Sequence, residues 1–519
     1  MSNFFEQMKD YQVENDNVSI TENGAVGFRT TGKKLVDLNF AVSSLRSASE
    51  EDIYSRFCEA FVECPELAVR WLFFARDVRG GMGERRLFRV VLSRLASTNV
   101  ELVKKLIPYV AEYGRYDDLF CLIDGSGSVV EKETLDYIYE QLDKDATNYA
   151  SKKSISLLAK WLPSVSTSSK SSCELARKIA KHCGLTERQY RKSLSALRKY
   201  LDVTEVKMSA NDWGEIRYDA VPSKANLLYN DAFLKHDEQR RREFLDKANK
   251  GEVKVNASTL YPHEIVDRYL SMGGWSCNIN AFDQNLEAAW KNLKDTFSSD
   301  KRVIVIGDGS GSMFGKQGGV NPIAVSYALS IYFAERLQGE FANKYIIFSS
   351  NPHLVNISPN LSLRDKIAVT AKNSDCSNTD IEKTFNLILN TAVQKHLKQE
   401  EIPEIALVIS DMEFDSATGN YYGYGRRTPN KALFDNIRDK FNAYGYKMPK
   451  LVFWNICSRT ETIPVKENEL GVALVSGFSP NICKMVLSNK LDPFAVLEET
   501  LMDKRYDPVG EVVKEVIGK

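Results

Sequence analysis

A short apolar segment that runs into a group of carboxylate and hydroxyl side chains constrains the fold of this 519-residue chain more than any other feature. Residues 302–306 read Arg-Val-Ile-Val-Ile, and an almost continuously apolar run is typical of a parallel strand covered on both faces. Asp308, Ser310 and Ser312 follow directly in a D-x-S-x-S pattern. Because ligands of open α/β sheets bind at the carboxyl ends of strands, this position predicts a binding site in an α/β domain.

Two later segments extend the candidate site and give it the chemistry of a metal site. The polar loop 373–380 contains Thr379, and a second apolar run at 405–410 ends on Asp411. Carboxylate and hydroxyl oxygens are ligands that suit Mg²⁺ and disfavour soft metals. The set resembles the metal-ion-dependent adhesion site of von Willebrand factor A domains at all five positions, which are Asp308, Ser310, Ser312, Thr379 and Asp411. The resemblance implies Mg²⁺ or another divalent cation, bound directly by the two serines. The alternative is an A-type fold that has kept the motif and binds nothing through it.

The pattern around this motif predicts a doubly wound parallel sheet. Strands are expected at 345–348, 354–357, 451–456 and 472–475, and helices at 322–337, 431–442 and near 481–487. Strands that alternate with helices at this spacing favour an α/β domain, which we place at 298–490. Residues 491–519 are predicted to form a charged helical tail that packs back on another part of the chain.

Residues 1–297 have a different pattern, in which one amphipathic helical segment follows another with short polar joints. Helix pairs of this length predict an α-solenoid of the HEAT kind. Three stretches resemble the helical half of the Ro, or TROVE, family, at 65–68 (PELA), 74–81 (FARDVRGG) and 113–119 (YGRYDDL). Two others, 160–164 (KWLPS) and 190–198 (YRKSLSALR), are typical of a Ro-like branch of phages and bacteria. The resemblance implies a helical ring joined to an A domain, and a structured noncoding RNA as the ligand.

The local charge also favours RNA, independently of that resemblance. The chain has 69 Lys plus Arg and 69 Asp plus Glu, yet residues 152–207 contain thirteen cations and four anions, an excess of +9. The candidate RNA-binding residues are Lys170, Arg177, Lys181, Arg188, Arg191, Lys192 and Arg198, with Tyr190 and Tyr200 available for base stacking. The alternative is a solvated helix surface paired with acidic patches elsewhere. The basic joint 79–86 (RGGMGERR) has two interpretations, a phosphate cradle or a helix connector.

Composition excludes several other classes of protein. Nine scattered cysteines and five histidines provide neither a zinc motif nor a disulfide framework. The sequence contains no apolar N-terminal signal and no apolar run of about 18 residues. We therefore expect a reduced cytoplasmic protein with no membrane partner, and the resemblance to the Ro-like branch implies a bacterial or phage-encoded one.

Three classes of function fit these features. The leading one is a noncoding-RNA-binding scaffold for RNA folding, stability or quality control, with no DNA specificity. The second is a protein-interaction scaffold that uses the metal to capture an acidic residue of a partner. A metal-dependent nuclease is least favoured, because neither a carboxylate triad nor a catalytic histidine is evident. No enzymatic activity and no catalytic residue are expected.

Overall fold

The apolar run of the D-x-S-x-S motif forms a central strand of a six-stranded sheet in the computed structural model. The structure describes residues 17–20, 26–274, 276–297, 301–316, 319–349, 351–374, 381–412, 429–458, 463, 472–487 and 492–518. Residues 1–52, 56–63 and 260–501 form one unit, here called the α/β unit. Residues 53–55, 64–259 and 502–519 form the other, here called the helical unit.

The strands are β1 Val18–Ile20, β2 Val26–Phe28, β3 Leu270–Gly273, β4 Ser276–Ile279, β5 Val303–Asp308, β6 Lys344–Phe348, β7 His353–Asn356, β8 Ile405–Ser410, β9 Lys450–Asn455 and β10 Val472–Ser476. The first helices are α1 Lys34–Leu45, α2 Glu50–Glu63, α3 Pro65–Arg76, α4 Arg85–Thr98, α5 Val100–Tyr113, α6 Val129–Ala150, α7 Leu158–Trp161, α8 Lys170–His182, α9 Glu187–Tyr200, α10 Thr204–Ser209, α11 Ser223–Leu228, α12 Asn230–His236 and α13 Glu238–Asn249. They are followed by α14 Pro262–Tyr269, α15 Gln284–Lys291, α16 Pro322–Ala334, α17 Leu363–Asn373, α18 Ile381–Gln394, α19 Pro429–Ala443, α20 Cys483–Leu487, α21 Pro493–Leu501 and α22 Asp507–Ile517.

The six strands of the large sheet lie in the order β10-β9-β8-β5-β6-β7. Five of them are parallel, and β7 is an antiparallel edge strand beside β6. The sheet is therefore mixed, whereas the sequence predicted a parallel one, because 344–356 folds as a short hairpin. The order of the other strands reverses between β5 and β8, which places the carboxyl ends of these two neighbours at the switch point where ligands of such sheets bind.

Helices cover both faces of the sheet, which explains why its strands are apolar throughout. Every residue of β5 and β8 is buried. On one face, β-strand residues such as Ile306 pack with Phe385 of α18 and Phe441 of α19. Helix α16 also packs on β5, and all of its residues are buried, as expected for a helix that is apolar all round.

The division into units differs from the domain boundaries predicted at 297 and 490. Helix α1 belongs to the α/β unit, where Asn455 donates to the carbonyl oxygen of Phe40 at 3.0 Å. Residues 260–297 also belong to it, because the buried carboxylate of Glu287 accepts from the backbone N–H groups of Leu363 and Arg364 at 2.8 and 3.1 Å. These two N–H groups belong to the first turn of α17, where backbone donors have no partner within the helix. Glu287, which lies before the predicted boundary at 297, accepts from both of them.

The helical unit consists of successive helices that pack on their neighbours, from α3 on α4 through α5, α6 and α8. The C-terminal helix α22 packs against α3 and α5 of the same unit. Its apolar face, with Val509 and Val513, is fully buried there. Asp507 pairs at 3.0 Å with Arg70 of α3, which is itself 2% exposed. The predicted packing of the tail on an earlier part of the chain is thus observed, although the tail begins at 502 rather than 491.

The predicted fold class, an α-helical half and a doubly wound α/β domain, is confirmed. All eight cysteines in the described part of the chain are free thiols, and Cys376 lies outside it. Among the described helices, none combines the length and the apolar character that a membrane span requires.

Candidate metal site and nucleic-acid interface

The two aspartates of the predicted metal site lie at the carboxyl ends of neighbouring parallel strands. Strands β5 and β8 pair with Gly307 opposite Ile409, so that Asp308 ends β5, while Ser410 ends β8 and Asp411 follows it. Both aspartates are only 1% exposed. Buried carboxylates need hydrogen-bond donors or a cation, so this strand-end pair is suited to a positively charged ligand.

The carboxylate of Asp308 is held in one orientation by its neighbours. Its Oδ1 accepts from the backbone N–H of Ser310 at 2.8 Å, and its Oδ2 accepts from the hydroxyl of Ser410 at 2.5 Å. The carbonyl oxygen of Asp308 accepts from the Ser326 hydroxyl on α16 at 2.7 Å. Partners of this kind orient the groups around a metal ion.

The spacing of the two motif serines fits two ligands of one Mg²⁺ ion. The hydroxyl groups of Ser310 and Ser312 are hydrogen-bonded to each other, with their oxygens 2.9 Å apart. Neighbouring ligands of an octahedral Mg²⁺ at ~2.0–2.1 Å are separated by about 2.9 Å, because they subtend a right angle. Ser310 is 6% exposed and Ser312 is partly exposed, so the second serine lies nearer to solvent.

Two glycines allow the site to form. A Cβ at Gly309 would lie 2.3 Å from the hydroxyl oxygen of Ser374, which donates to the Gly309 carbonyl at 2.9 Å. A Cβ at Gly307 would lie 2.3 Å from the hydroxyl oxygen of Ser330 on α16. Side chains larger than hydrogen at these positions would therefore push the motif away from α16 and from the 374 loop.

Three residues that position the site were missed from the sequence, namely Ser326, Ser374 and Ser410. A polar last residue in an otherwise apolar strand was the available signal for Ser410. Thr379, the remaining motif residue, lies outside the described residues. Within the described ranges, no group of three or more His, Cys, Asp or Glu side chains could hold a metal ion, so a metal here would depend on hydroxyls together with Asp308 and Asp411.

Six of the seven predicted RNA-binding residues lie on two adjoining helices of the helical unit. They form a group here called the basic surface: Lys170, Arg177 and Lys181 on α8, and Arg188, Arg191 and Lys192 on α9. All six are exposed. Lys170 and Arg177 have exposed partners, Glu174 at 3.9 Å and Glu187 at 2.9 Å, and such surface pairs contribute only about 0–1 kcal/mol.

The other four cations of the basic surface are not engaged within the described part of the chain. Lys181, Arg188, Arg191 and Lys192 have no side-chain hydrogen bond or ion pair with any described residue. Arg188, Arg191 and Lys192 are three and four residues apart, so they share one face of α9. This face can accept phosphate oxygens without breaking an internal contact.

Arg198 does not belong to this surface. Its guanidinium donates to the carbonyl oxygens of Ala159 and Leu162 and to the Ser164 hydroxyl, at 2.8, 2.6 and 2.8 Å. Burial lowers the pKa of the guanidinium. Its role is to fasten α9 to the end of α7, where the last carbonyl groups of a helix need donors.

The two tyrosines proposed for stacking are likewise engaged elsewhere. Tyr190 is fully buried, its hydroxyl donates to the carbonyl of Pro163 at 3.0 Å, and burial raises its pKa. It cannot meet a base without unfolding the helix packing. Tyr200 is 40% exposed and packs edge-on against Tyr149.

The joint 79–86 is a helix connector. The backbone N–H groups of Gly81, Met82 and Glu84 donate to carbonyl oxygens at the end of α3 at 3.0, 3.1 and 2.7 Å. A Cβ at Gly81 would lie 1.9 Å from the Phe74 carbonyl oxygen, which accounts for the glycine. Since these N–H groups are used, the backbone of the joint cannot cradle a phosphate.

These features combine, in one chain, an α/β unit with a doubly wound sheet and an all-helical unit. A family model described as a domain of unknown function, DUF7788, matches residues 302–513, and another, DUF2828, matches residues 182–302. The chain is similar to the uncharacterized protein L728 of Acanthamoeba polyphaga mimivirus. The two are 29% identical over an alignment 534 residues long, which covers 95% of this chain and 89% of that protein. A similarity also extends to the crystal structure of the Ro (RSR) protein of Deinococcus radiodurans, at 15% identity and a TM-score of 0.41, over 86% of this chain and 92% of that one.

Proposed function

We propose that this protein is a Ro-like RNA-binding scaffold for noncoding RNA, whose helical unit binds RNA phosphates through the basic surface. The observation that carries the proposal is the exposed face of α9, where Arg188, Arg191 and Lys192 have no partner among the described residues. Cations without carboxylate partners break no ion pair of the protein when they meet a phosphate, and they release counterions from the RNA. Phosphate contacts read no sequence, so the expected binding is tight at low salt and tolerant of sequence.

A charge-reversal variant tests this surface. Changing Arg188, Arg191 and Lys192 together to Glu should weaken RNA binding and lower the slope of log affinity against log salt by about 0.7 for each single-strand phosphate contact that is lost. The assay is filter binding of a structured and a single-stranded RNA at several salt concentrations.

The matched control reverses the same amount of charge elsewhere in the helical unit. Lys235, Arg242 and Lys247 are exposed residues of α12 and α13, and changing them to Glu should leave RNA affinity close to that of the wild type. An equal loss of RNA affinity in both triple variants would show that net charge determines binding, and it would contradict the proposed surface. Salt-independent binding, or no binding, by the wild type would contradict the function itself.

We further propose that the α/β unit binds Mg²⁺ through Ser310 and Ser312, with Asp308, Asp411 and Thr379 directly bound or beside the ion. The fit of the 2.9 Å oxygen separation to neighbouring octahedral ligands supports this assignment. When bound, the ion would neutralise the two buried carboxylates, and the partly exposed Ser312 would be the ligand nearest to solvent.

Calorimetry with Mg²⁺ alone tests the metal. The Ser310→Ala/Ser312→Ala double variant removes the two hydroxyl ligands without removing a buried charge, and it should lose Mg²⁺ binding and the stabilisation that the ion gives to the wild type. Asp439→Ala, at an exposed position of α19, is the control and should bind normally. Unchanged Mg²⁺ affinity in the double variant would contradict the assignment.

A second candidate function is capture of an acidic protein partner by the bound metal. The partial exposure of Ser312 favours it, because a carboxylate of a partner can approach the site beside this residue. Mg²⁺-dependent binding of an aspartate-containing peptide, abolished in the double serine variant and preserved in the charge-reversed α9 variant, would support this function.

A further inference from the structure

Four arginines and two aspartates form a cluster in the helical unit, and their charges do not balance. The carboxylates of Asp117 and Asp118 pair with Arg76, Arg89 and Arg115 at 2.6–2.9 Å. A fourth arginine, Arg85, begins helix α4 and lies within electrostatic range of Asp117 and of the other three guanidinium groups. With four positive and two negative groups, the cluster carries an excess of +2.

Arg85 is the cation that the cluster leaves unpaired. Its side chain is exposed and makes no hydrogen bond or ion pair with any residue in the described ranges. Desolvation lowers the pKa of Arg85, and the neighbouring charge of Arg115 lowers it further. By contrast, burial disfavours the Asp118 carboxylate, but Arg76 and Arg89 outweigh that effect and hold its pKa below the usual range. The aspartates are thus fully committed to the other arginines.

Arg115, whose charge acts directly on Arg85, offers a second donor. Its Nε and Nη2 donate to Asp117 in a bidentate pair at 2.8 and 2.6 Å. Its guanidinium carbon lies 4.0 Å from the ring centroid of Trp161, which fixes the plane of the group. The Nη1 group donates to no described residue. Lys160, whose ammonium lies 5.8 Å from the same ring, adds a third cation at the edge of the cluster.

This cluster is physically connected to the RNA-binding surface proposed above. Trp161 and Lys160 lie on α7, and Arg198 of α9 donates to the carbonyl oxygens of Ala159 and Leu162 on either side of them. The exposed cations of α9 and the Arg85 cluster are therefore carried by directly bonded elements of one unit.

We propose that Arg85, Arg115 and Lys160 form a binding site for a terminal phosphate monoester, next to the indole of Trp161. Lys160 raises the excess of the cluster to +3, and a phosphate monoester, which carries −1.5 to −2 at neutral pH, neutralises more of this charge than an internal diester, which carries only −1. Guanidinium groups suit such a ligand, because they bind phosphate oxygens in a forked geometry. The site is a phosphate site in its own right, and its place in RNA binding rests on the proposed function.

The first experiment compares RNA ends. A short oligouridylate with a 5′-phosphate, the same chain with a 3′-phosphate and the same chain with two hydroxyl ends are titrated by fluorescence anisotropy. At least one phosphorylated end should tighten binding by about ten-fold in the wild type, from two charge-assisted contacts that remain partly solvated. The Arg85→Ala variant should bind all three oligonucleotides alike, at the affinity of the hydroxyl form.

The control variant is Arg217→Ala, which removes an exposed arginine of the same unit that pairs with Asp219 at 3.3 Å. It should keep the preference for the phosphorylated end. Arg85→Ala should also melt at or above the wild-type temperature, because the substitution removes like-charge repulsion from Arg115 and breaks no described pair. A lower melting temperature together with lost preference would show a structural residue and overturn the assignment.

A second experiment separates the site from the function. Pyrophosphate alone, in a thermal-shift titration, should stabilise the wild type and the charge-reversed α9 variant, but not Arg85→Ala.

Competition by uridine monophosphate at the concentration of the oligonucleotide would identify a free nucleotide as the source of the phosphate, and weaker competition would identify an RNA end. Salt-dependent RNA binding without any effect of end phosphate or pyrophosphate would overturn the site and leave the function intact. Stabilisation by pyrophosphate without RNA binding would support the phosphate site and contradict the proposed function.

Discussion

The buried ion pair between Arg505 and Asp77 allows a stability prediction for the C-terminal segment of the helical unit. Asp77 follows α3 and is fully buried. Its carboxylate accepts from Arg505 Nε and Nη2, from the Tyr506 hydroxyl at 3.2 Å, and from the backbone N–H of Arg79 at 2.9 Å. Arg505→Ala leaves this carboxylate without its only cationic partner among these donors.

The expected loss of stability follows from the burial of the two side chains of this ion pair. Removing one partner of a buried pair costs about 3–5 kcal/mol. The side chain of Arg505 is 32% exposed, and two donors stay on Asp77, so solvent and these donors reduce the cost to the lower end, about 3 kcal/mol. At about 2–4 °C per kcal/mol for a unit of this size, the helical unit should melt about 6–12 °C earlier.

The assay is urea and thermal unfolding, with hydrogen exchange of residues 507–517 to show that the lost stability is local to α22. The control is Arg242→Ala, which removes an exposed pair with Glu238 and should cost less than about 1 kcal/mol. Asp77→Asn combined with Arg505→Ala removes both charges and should be more stable than Arg505→Ala alone. A cost below 1 kcal/mol for Arg505→Ala, or a double variant that is less stable than the single one, would refute the reasoning.

Three further predictions concern the helical unit. Gly81→Ala places a Cβ 1.9 Å from the Phe74 carbonyl oxygen and should cost more than about 2 kcal/mol, while Gly214→Ala, with open space at its Cβ, should be neutral in the same urea titration. Burial raises the pKa of Tyr113 to about 12, so the stability it contributes is complete below about pH 10 and is lost as the pH rises toward 12; absorbance of tyrosinate at alkaline pH should appear together with unfolding. Truncation after Leu501 removes α22 and should make the remaining helices aggregate, because it exposes the apolar surfaces of α3 and α5; a soluble and cooperatively folding truncated chain would contradict this expectation.

Local patterns predicted the α/β unit well, because each of its strands is apolar enough to be recognised by itself. Strand β5 was expected at 302–306 and is found at Val303–Asp308, and α16 was expected at 322–337 and is found at Pro322–Ala334. The approach of Asp308 to Asp411 was also predictable, since the carboxyl ends of neighbouring parallel strands meet at one edge of the sheet. The antiparallel direction of β7 was not, because a four-residue strand has the same appearance in either orientation.

The burial of charged residues was beyond prediction from local pattern. Arg198 and Arg191 belong to the same helix and the same basic run, yet one is bonded to three groups of the 159–164 segment and the other is exposed. Only the position of α7 beside α9 decides which cation is used internally.

The class of each half and the residue types of the candidate metal site are predictable from the amino-acid order, because apolar periodicity and strand-end motifs depend on residues close in the chain. The tertiary structure alone decided that residues 1–52 and 260–297 complete the α/β unit and that residues 502–519 complete the helical unit. It also decided that Arg85 pairs with no carboxylate among the described residues, while Arg505 pairs with Asp77, more than 400 residues away in the chain. The physical reason is that burial and charge balance depend on which elements pack together, and pairs this distant in the chain have no local pattern that records them.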